Sequence, residues 1–233
     1  MRRQHLIQFA VLMTFVLGMA IGPALAQDIG GPYEADEHTV LLMHFDGDYS
    51  NASDSSAAGE PQGNIRFADN SQLPELGQAV WIDNDSPGDT SAVLVPHSEA
   101  LDIDGDLTIE GWMNPITYTG SEGNWLNRQP ALLRKHNTYN TYGAGYTYEV
   151  LFNGTQHYLE GHLHYPGNWS AQEDVSSSAN SIQLGNWYHF VFVRDTSHGT
   201  MAFLLYDSDK NLVEVDVGFD DHLLNGENLT LGE

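Results

Sequence analysis

The segment Leu107-Thr108-Ile109-Glu110-Gly111-Trp112-Met113 decides the fold class, because apolar residues alternate with polar or small ones along its seven positions. Successive side chains of a β-strand point to opposite faces, so Leu107, Ile109 and Met113 share one face. The opposite face carries Trp112. Because both faces hold a large apolar residue, the segment is predicted to be a central strand of a sheet.

Similar short runs recur along the rest of the chain. Turn clusters rich in Gly, Asn, Asp and Ser separate them, and no stretch after the N-terminal region keeps helical spacing over three turns. The pattern predicts an all-β fold, a two-sheet antiparallel sandwich, rather than alternating strands and helices. Strands are predicted at residues 39–45, 78–82, 92–95, 107–113, 131–133, 146–152, 159–165, 187–194, 201–206 and 212–217, with the longest loops at 114–130 and 166–182.

The N-terminus has the pattern of a secretory signal peptide. Arg2 and Arg3 precede an apolar run that ends in Ala24-Leu25-Ala26, in agreement with the charged, apolar and cleavage regions of such peptides. The run is shorter than the roughly 20 residues of a membrane helix. We therefore predict a signal peptide at 1–26, a flexible acidic lead-in at 27–38 and one domain at 39–233. The product would be secreted or extracytoplasmic, in a periplasm or at a cell surface, with no membrane span after cleavage.

The composition excludes some partners. The formal net charge is −24, and it becomes −26 once Arg2 and Arg3 are removed with the signal peptide. So acidic a surface repels nucleic acid, and its charge serves either solubility or the binding of divalent cations. The chain has no cysteine, so its stability must come from a buried core and from any bound ions. The oligomeric state is not predicted by any of these features.

Six motifs follow one another in the order typical of a known family. They are Leu42–Gly47, Gly77–Asp83, Val95–Leu101, Leu107–Trp112, Leu184–Val191 and Leu204–Asp207. In this order they resemble the laminin-G-like, concanavalin A-like jelly-roll domains of secreted bacterial proteins. The resemblance implies a two-sheet antiparallel jelly roll. Family members generally continue with one more strand, whereas this sequence stops at Glu233, which predicts a domain lacking its last strand, as a fragment of a longer protein would.

Two acidic loops are candidates for calcium. A hard cation binds six to eight oxygen atoms, and clustered carboxylates around a glycine can supply several of them. The alternative is that Asp and Gly only make turns at these positions. The resemblance adds weight to calcium, since laminin-G-like relatives often carry this ion. The predicted ligands are Asp46, Asp48 and Asp54 in the first loop and Asp102, Asp104 and Asp106 in the second.

Aromatic residues in the predicted loops are candidates for ligand binding. A sugar ring needs an aromatic surface for its apolar face and polar side chains for its hydroxyl groups. We predict that Trp125, Tyr142, Tyr146, Asn168 and Trp169 bind the ligand. The tryptophans within or beside predicted strands, Trp81, Trp112 and Trp187, are instead expected in the core. The resulting hypothesis is a secreted module that binds a carbohydrate or another extracellular surface ligand, with protein adhesion as one alternative.

Catalysis is the other alternative, because glycoside hydrolases and lyases share this resembled fold. Laminarinase-type enzymes carry Glu-x-Asp-x-(x)-Glu on one strand, whose two glutamates act as nucleophile and acid/base. The nearest match is Glu214-Val215-Asp216-Val217-Gly218-Phe219, where Gly or Phe stands in place of the second Glu. Without that group the half-motif should be inert, so the sequence favours a binding module over an enzyme. Other acid candidates are Glu110, Glu149 and Glu160.

Three histidines in predicted strands are candidates for metal binding, packing or acid–base roles. His162 and His164 are two residues apart, so they point to the same face and could offer two imidazoles to a transition metal such as zinc. The sequence identifies no third ligand for them. His189, in Trp187-Tyr188-His189, is expected to be a packing residue of its strand, as it is in the resembled family, rather than a general base.

Overall fold

The computed structural model describes residues 29–83, 91–117, 131–135, 147–165 and 168–220, and at 147, 165 and 168–172 it describes the backbone alone. The predicted signal peptide at 1–26 and the C-terminal residues 221–233 lie outside the described part. Within it, two 3₁₀ turns, Pro74–Leu76 and Glu99–Leu101, are the only helical segments, and twelve β-strands form the rest of the regular structure. The strands are β1 (Glu60–Gln62), β2 (Ile65–Asp69), β3 (Gln78–Ile82), β4 (Ala92–Leu94), β5 (Leu107–Met113), β6 (Ala131–Lys135), β7 (Thr147–Asn153), β8 (Tyr158–Tyr165), β9 (Asn168–Ser176), β10 (Tyr188–Asp195), β11 (Thr200–Asp207) and β12 (Leu212–Phe219).

Two four-stranded antiparallel sheets form the body of the domain. Sheet I has the strand order β12-β11-β10-β5, and sheet II has the order β6-β7-β8-β9. Two smaller ladders, β1 with β4 and β2 with β3, complete the described sheets. The predicted all-β antiparallel sandwich is thereby confirmed.

The core lies between the inner faces of the two sheets. Alternation along each strand turns every second side chain inward, as predicted for β5, where Leu107, Ile109 and Met113 are buried. The buried cluster draws on both sheets. Its larger members also include Tyr148, Val150 and Phe152 of β7, Leu159 and Leu163 of β8, Phe190 and Phe192 of β10, and Met201, Phe203 and Leu205 of β11.

Two glycines allow the sheets to approach closely. A Cβ atom built on Gly161 of β8 would lie 2.4 Å from the ring of Phe192 in β10. A Cβ atom on Gly218 of β12 would lie 2.7 Å from Val175 of β9. Distances this short are not found between real side chains, so both contacts between the sheets depend on glycine.

The strand predicted at residues 39–45 does not form. Side chains of the following loop bind its backbone: Asn51 Oδ1 accepts from the Leu42 amide at 2.9 Å, and Ser53 Oγ donates to the Thr39 carbonyl. Phe45 has a positive φ of 59°, which no extended strand contains. The backbone groups that a sheet partner would have bound are thus already occupied.

The loop predicted at 166–182 contains a strand. Residues Asn168–Ser176 form β9, which pairs with β8 along the edge of sheet II. The segment reads Asn-Trp-Ser-Ala-Gln-Glu-Asp-Val-Ser, with few apolar residues apart from the buried Val175. An edge strand needs few apolar residues, so the polar composition of β9 gave no periodic signal.

The three tryptophans expected in the core are only partly buried. Trp81, Trp112 and Trp187 are each intermediate in exposure and none belongs to the core cluster. The guanidinium of Arg66 lies 4.5 Å from the centre of the Trp81 ring. Trp112 lies on the outward face of sheet I, where its indole Nε1 donates to the Gly30 carbonyl at 2.7 Å.

Part of the predicted lead-in is attached to that same face. Besides the bond from Trp112 to Gly30, Lys210 Nζ donates to the Gly31 carbonyl at 3.0 Å, and Tyr33 donates to Glu110 at 2.6 Å. These contacts join residues 30–33 to sheet I. In the described part of the chain, no helix has the length and apolar character needed to cross a bilayer.

Candidate functional site

The outward face of sheet II carries a row of charged and polar side chains. Its strands are paired so that Arg134 of β6 lies opposite Glu149 of β7, Glu149 opposite His162 of β8, and His162 opposite Asp174 of β9. The neighbours of these residues along β7 and β8 face the core, so alternation turns this row away from it. Glu160 is on the same face. We call Arg134, Glu149, Glu160, His162 and His164 the polar cluster.

Glu149 is at the centre of the polar cluster. Arg134 Nε donates to its Oε2 at 2.5 Å, while His164 Nε2 lies 3.2 Å from its Oε1. His162 Nδ1 also approaches Oε1, at 3.6 Å. One carboxylate oxygen therefore faces the guanidinium and the other faces two imidazole rings.

Glu160 fixes the orientation of His162. The Nε2 atom of His162 lies 2.9 Å from Glu160 Oε2. Since a carboxylate only accepts hydrogen bonds, this contact places a proton on Nε2. The other ring nitrogen, Nδ1, then points toward Glu149.

Four of the five residues of the polar cluster are shielded from water although they lie on an outward face, whereas Arg134 is exposed. Glu149 is 3 % exposed and His164 is 3 % exposed, while Glu160 and His162 are also buried. Burial raises the pKa of Glu149, but the contacts with His164 and Arg134 outweigh it and hold that pKa below its usual range. For Glu160 burial is likewise outweighed, first by the contact with His162. Both carboxylates are therefore ionised at neutral pH.

The structure places a third potential metal-binding group, Glu149, next to the two histidines. One ligand atom each from Glu149, His162 and His164 lies within 4.8 Å of the other two. Glu149 was recognised in the sequence only as an isolated acid. The register between β7 and β8, which brings it opposite His162, cannot be obtained from the spacing of residues along one strand.

The first predicted calcium loop uses its carboxylates in local hydrogen bonds. Asp48 Oδ1 accepts from the amide and hydroxyl of Ser50, at 2.9 and 2.6 Å. Asp46 Oδ1 accepts from the Gln78 amide at 2.8 Å, and Asp54 is exposed. Among the described residues, the three do not form a group of ligand atoms within 4.8 Å of one another.

The second predicted calcium loop is held by neighbouring elements. Asp102 Oδ1 lies 3.0 Å from Lys135 Nζ, and Asp106 Oδ1 accepts from the amide of Thr196 at 2.8 Å. At Asp104 the backbone carbonyl accepts from Arg194 Nη1 at 2.8 Å. These contacts stabilise the loop, and in the part of the chain described here its three carboxylates are not brought together around one point.

The residues predicted to bind the ligand lie mostly outside the described part. Trp125, Tyr142 and Tyr146 fall in the ranges 118–130 and 136–146, which are not described. Asn168 and Trp169 are the first two residues of β9, in the sheet that carries the polar cluster. Tyr146 immediately precedes β7 of the same sheet.

The glucanase-like half-motif connects the two sheets. Glu214 and Asp216 of β12 pair with Leu205 and Phe203, whose side chains face the core, so both acids point inward at the edge of sheet I. Glu214 Oε1 accepts from the Ser178 amide at 3.0 Å, and Asp216 Oδ2 accepts from the Ser176 amide at 3.1 Å. They therefore bind amide groups at the end of β9.

His189 lies under the attached N-terminal segment. It is fully buried, and its Nε2 lies 3.3 Å from both Glu110 Oε2 and the Tyr33 hydroxyl. Its ring lies beside Trp112 and Tyr206, with centroids 5.2 and 5.9 Å away. This environment agrees with the predicted packing role, although Nδ1 has no hydrogen-bond partner among the described residues.

The fold is a two-sheet antiparallel β-sandwich of the concanavalin A-like type. A family model of the concanavalin A-like lectin/glucanases superfamily, of the laminin-G type, matches residues 87–207, slightly more than half of the chain. The chain belongs to this superfamily. Comparison with curated proteins and with solved structures gave no match.

Proposed function

We propose that the chain is a carbohydrate-binding module and that the outward face of sheet II is its binding face. The observation that carries the proposal is the polar cluster, in which the exposed Arg134 guanidinium is held at the outward face of sheet II by the buried Glu149 carboxylate. Such planar polar groups bind pairs of sugar hydroxyls, and a rigid sheet holds them in place before the ligand arrives. The superfamily contains lectins, which supports a binding role at the level of the fold.

The proposal assigns the aromatic residues predicted from the sequence to the same binding function. Trp169 belongs to β9 of sheet II, and Tyr146 directly precedes β7. An aromatic ring next to a polar surface provides the apolar platform on which a pyranose stacks. Trp125 and Tyr142 are proposed as further platforms on the strength of the sequence.

A glycan array probed with the purified protein tests this function. Binding to a defined set of sugars, weakened at least about tenfold in Arg134→Ala and Trp169→Ala, would support the proposal. Arg66→Ala is the matched control, because this arginine lies on β2 and stacks on Trp81. The proposal would be contradicted if the protein bound no sugar on a broad array, or if both site variants bound sugar as well as the wild type. Binding to a protein partner alone would instead favour adhesion.

Calcium is proposed only as a structural ion. Its ligands would be Asp46, Asp48 and Asp54 or the loop of Asp102, Asp104 and Asp106. The turn and loop contacts described above already account for Asp48 and Asp106 without an ion. A melting temperature that rises with millimolar Ca²⁺ and falls with a chelator would support calcium, and an unchanged one would refute it.

We also propose export through residues 1–26, which leaves an extracytoplasmic protein. The support is the signal-peptide pattern, with its charged start and Ala24-Leu25-Ala26 end. Mass spectrometry of the protein recovered outside the cytoplasm should give a chain beginning at Gln27. A chain that keeps Met1 and stays in the cytoplasm would overturn this part of the proposal.

A further inference from the structure

We infer that Glu149, His162 and His164 form a binding site for one divalent transition-metal ion, with zinc as the best match. The inference does not depend on the proposed sugar binding. It rests on the set of donor atoms, their spacing and the groups that orient them.

The donor set is of the kind that zinc prefers. Two imidazole nitrogens and one carboxylate oxygen form a common three-ligand set for this ion, whereas calcium and magnesium take oxygen ligands almost exclusively. The chain contains no cysteine, so no thiolate competes for the ion elsewhere. Zinc, and after it cobalt or nickel, is therefore expected rather than calcium.

The spacing agrees with tetrahedral coordination. With metal–ligand bonds near 2.0–2.1 Å, two ligand atoms of a tetrahedron are about 3.3 Å apart. Glu149 Oε1 lies 3.2 Å from His164 Nε2 and 3.6 Å from His162 Nδ1. All three ligand atoms lie within 4.8 Å of one another, so they would have to move closer together to bind one ion.

The orientation of His162 also supports a metal site. Its Nε2 is directed at Glu160, which leaves Nδ1 directed at the Glu149 carboxylate. A metal-bound histidine whose other nitrogen donates to a carboxylate is the usual arrangement around zinc.

Arg134 and the sheet prepare Glu149 for the same role. The guanidinium binds Oε2, which leaves Oε1 directed at the two imidazoles. Glu149 and His162 are direct partners in the β7–β8 ladder, and His164 is two residues further along β8. Three ligands on two hydrogen-bonded strands move little on metal binding, so the site is largely preorganised. A fourth position stays available for a water molecule or a ligand oxygen.

Metal binding can be measured directly on the purified full chain. After chelator treatment and dialysis, titration with Zn²⁺ followed by calorimetry should show one tight equivalent, and Co²⁺ should give the visible absorption of a tetrahedral site. His162→Ala, His164→Ala and Glu149→Gln should each weaken zinc binding by about 100-fold or more. His38→Ala, which removes an exposed histidine, should leave it unchanged.

Three results would overturn the inference. The first is the absence of a stoichiometric zinc equivalent in the wild-type chain, and the second is an octahedral cobalt spectrum. The third is equal zinc binding in all the variants, which would mean that zinc binds at scattered surface carboxylates. The cobalt spectrum is recorded on the wild-type protein, so the inference remains falsifiable even where a ligand variant fails to fold.

Discussion

Arg194 and Asp220 form an ion pair that is almost completely buried, with Nε donating to Oδ2 at 2.8 Å. Arg194 comes from the inner face of β10, and Asp220 directly follows β12. The same guanidinium binds the carbonyl of Asp104 at 2.8 Å. One of the few basic residues of a strongly acidic chain thus connects two strands of sheet I with the loop before β5.

Removing Asp220 should destabilise the fold strongly. Asp220→Ala leaves the Arg194 charge buried without its carboxylate, and loss of one partner of a buried pair costs about 3–5 kcal/mol. Urea unfolding followed by tryptophan fluorescence measures the effect. Asp209→Ala, at an exposed position in the β11–β12 turn, is the control and should change the free energy of unfolding by less than about 0.5 kcal/mol. Equal stability of the two variants would show that the ion pair contributes nothing.

Gly161→Ala should separate the two sheets locally. The added methyl group would lie 2.4 Å from the Phe192 ring, and overpacking of this kind costs about 1–3 kcal/mol. In a Phe192→Leu background the cost of the alanine should shrink, because the ring atoms are gone. Gly105→Ala serves as control, since nothing lies within 4 Å of its Cβ position. Thermal melts of the wild type, the two single variants at 161 and 192 and the double variant measure the coupling. If the effects of the two substitutions simply added, this account would be refuted.

Glu110 should make stability depend on pH in the acid range. Burial raises its pKa, but hydrogen bonds with His189 and Tyr33 outweigh burial and lower the pKa overall. A carboxyl whose pKa is lower in the folded state stabilises the fold above its unfolded pKa of about 4.3 and loses that contribution as the pH falls through the folded pKa. The difference in stability between wild type and Glu110→Gln should therefore be largest near neutral pH.

The measurement for Glu110 is urea unfolding at several pH values between about 6 and 3. The difference between wild type and Glu110→Gln is expected to shrink as the pH falls. Glu75→Gln, at an exposed position, should give no such trend. If the difference instead grew on acidification, the carboxylate would not be the form that Tyr33 and His189 stabilise.

The strands of the core were predictable because strands with one buried face alternate apolar and polar residues in the sequence. β3 and β5 have the predicted bounds, and β10 and β11 differ from prediction by a residue at each end. β9 and the segment at 39–45 were predicted wrongly for opposite reasons. An edge strand needs little apolar surface, whereas an apolar run whose backbone is bound by Asn51 and Ser53 cannot pair.

The polar cluster was predictable only in part. The spacing of His162 and His164 gave a shared face, which the structure confirms, because alternation acts within one strand. Glu149 and Arg134 come from two other strands, and their position depends on the register of two ladders. The registers are set by packing across the core, for instance at Gly161 and Phe192, which no local pattern encodes.

Glu160 should tune zinc affinity without binding the ion. In Glu160→Gln the amide oxygen can still accept from His162 Nε2, so the ring keeps its orientation but loses the basicity that a carboxylate confers. In Glu160→Ala the orientation is lost as well, and Nδ1 is no longer held toward Glu149. We expect both variants to weaken zinc binding within the roughly 10–100-fold range of such partners, with alanine the weaker binder. Calorimetric titration measures this, with the exposed Glu99→Gln as control. Zinc affinity that is unchanged in both would mean that Glu160 does not orient His162, whereas complete loss in Glu160→Gln would make Glu160 itself a ligand.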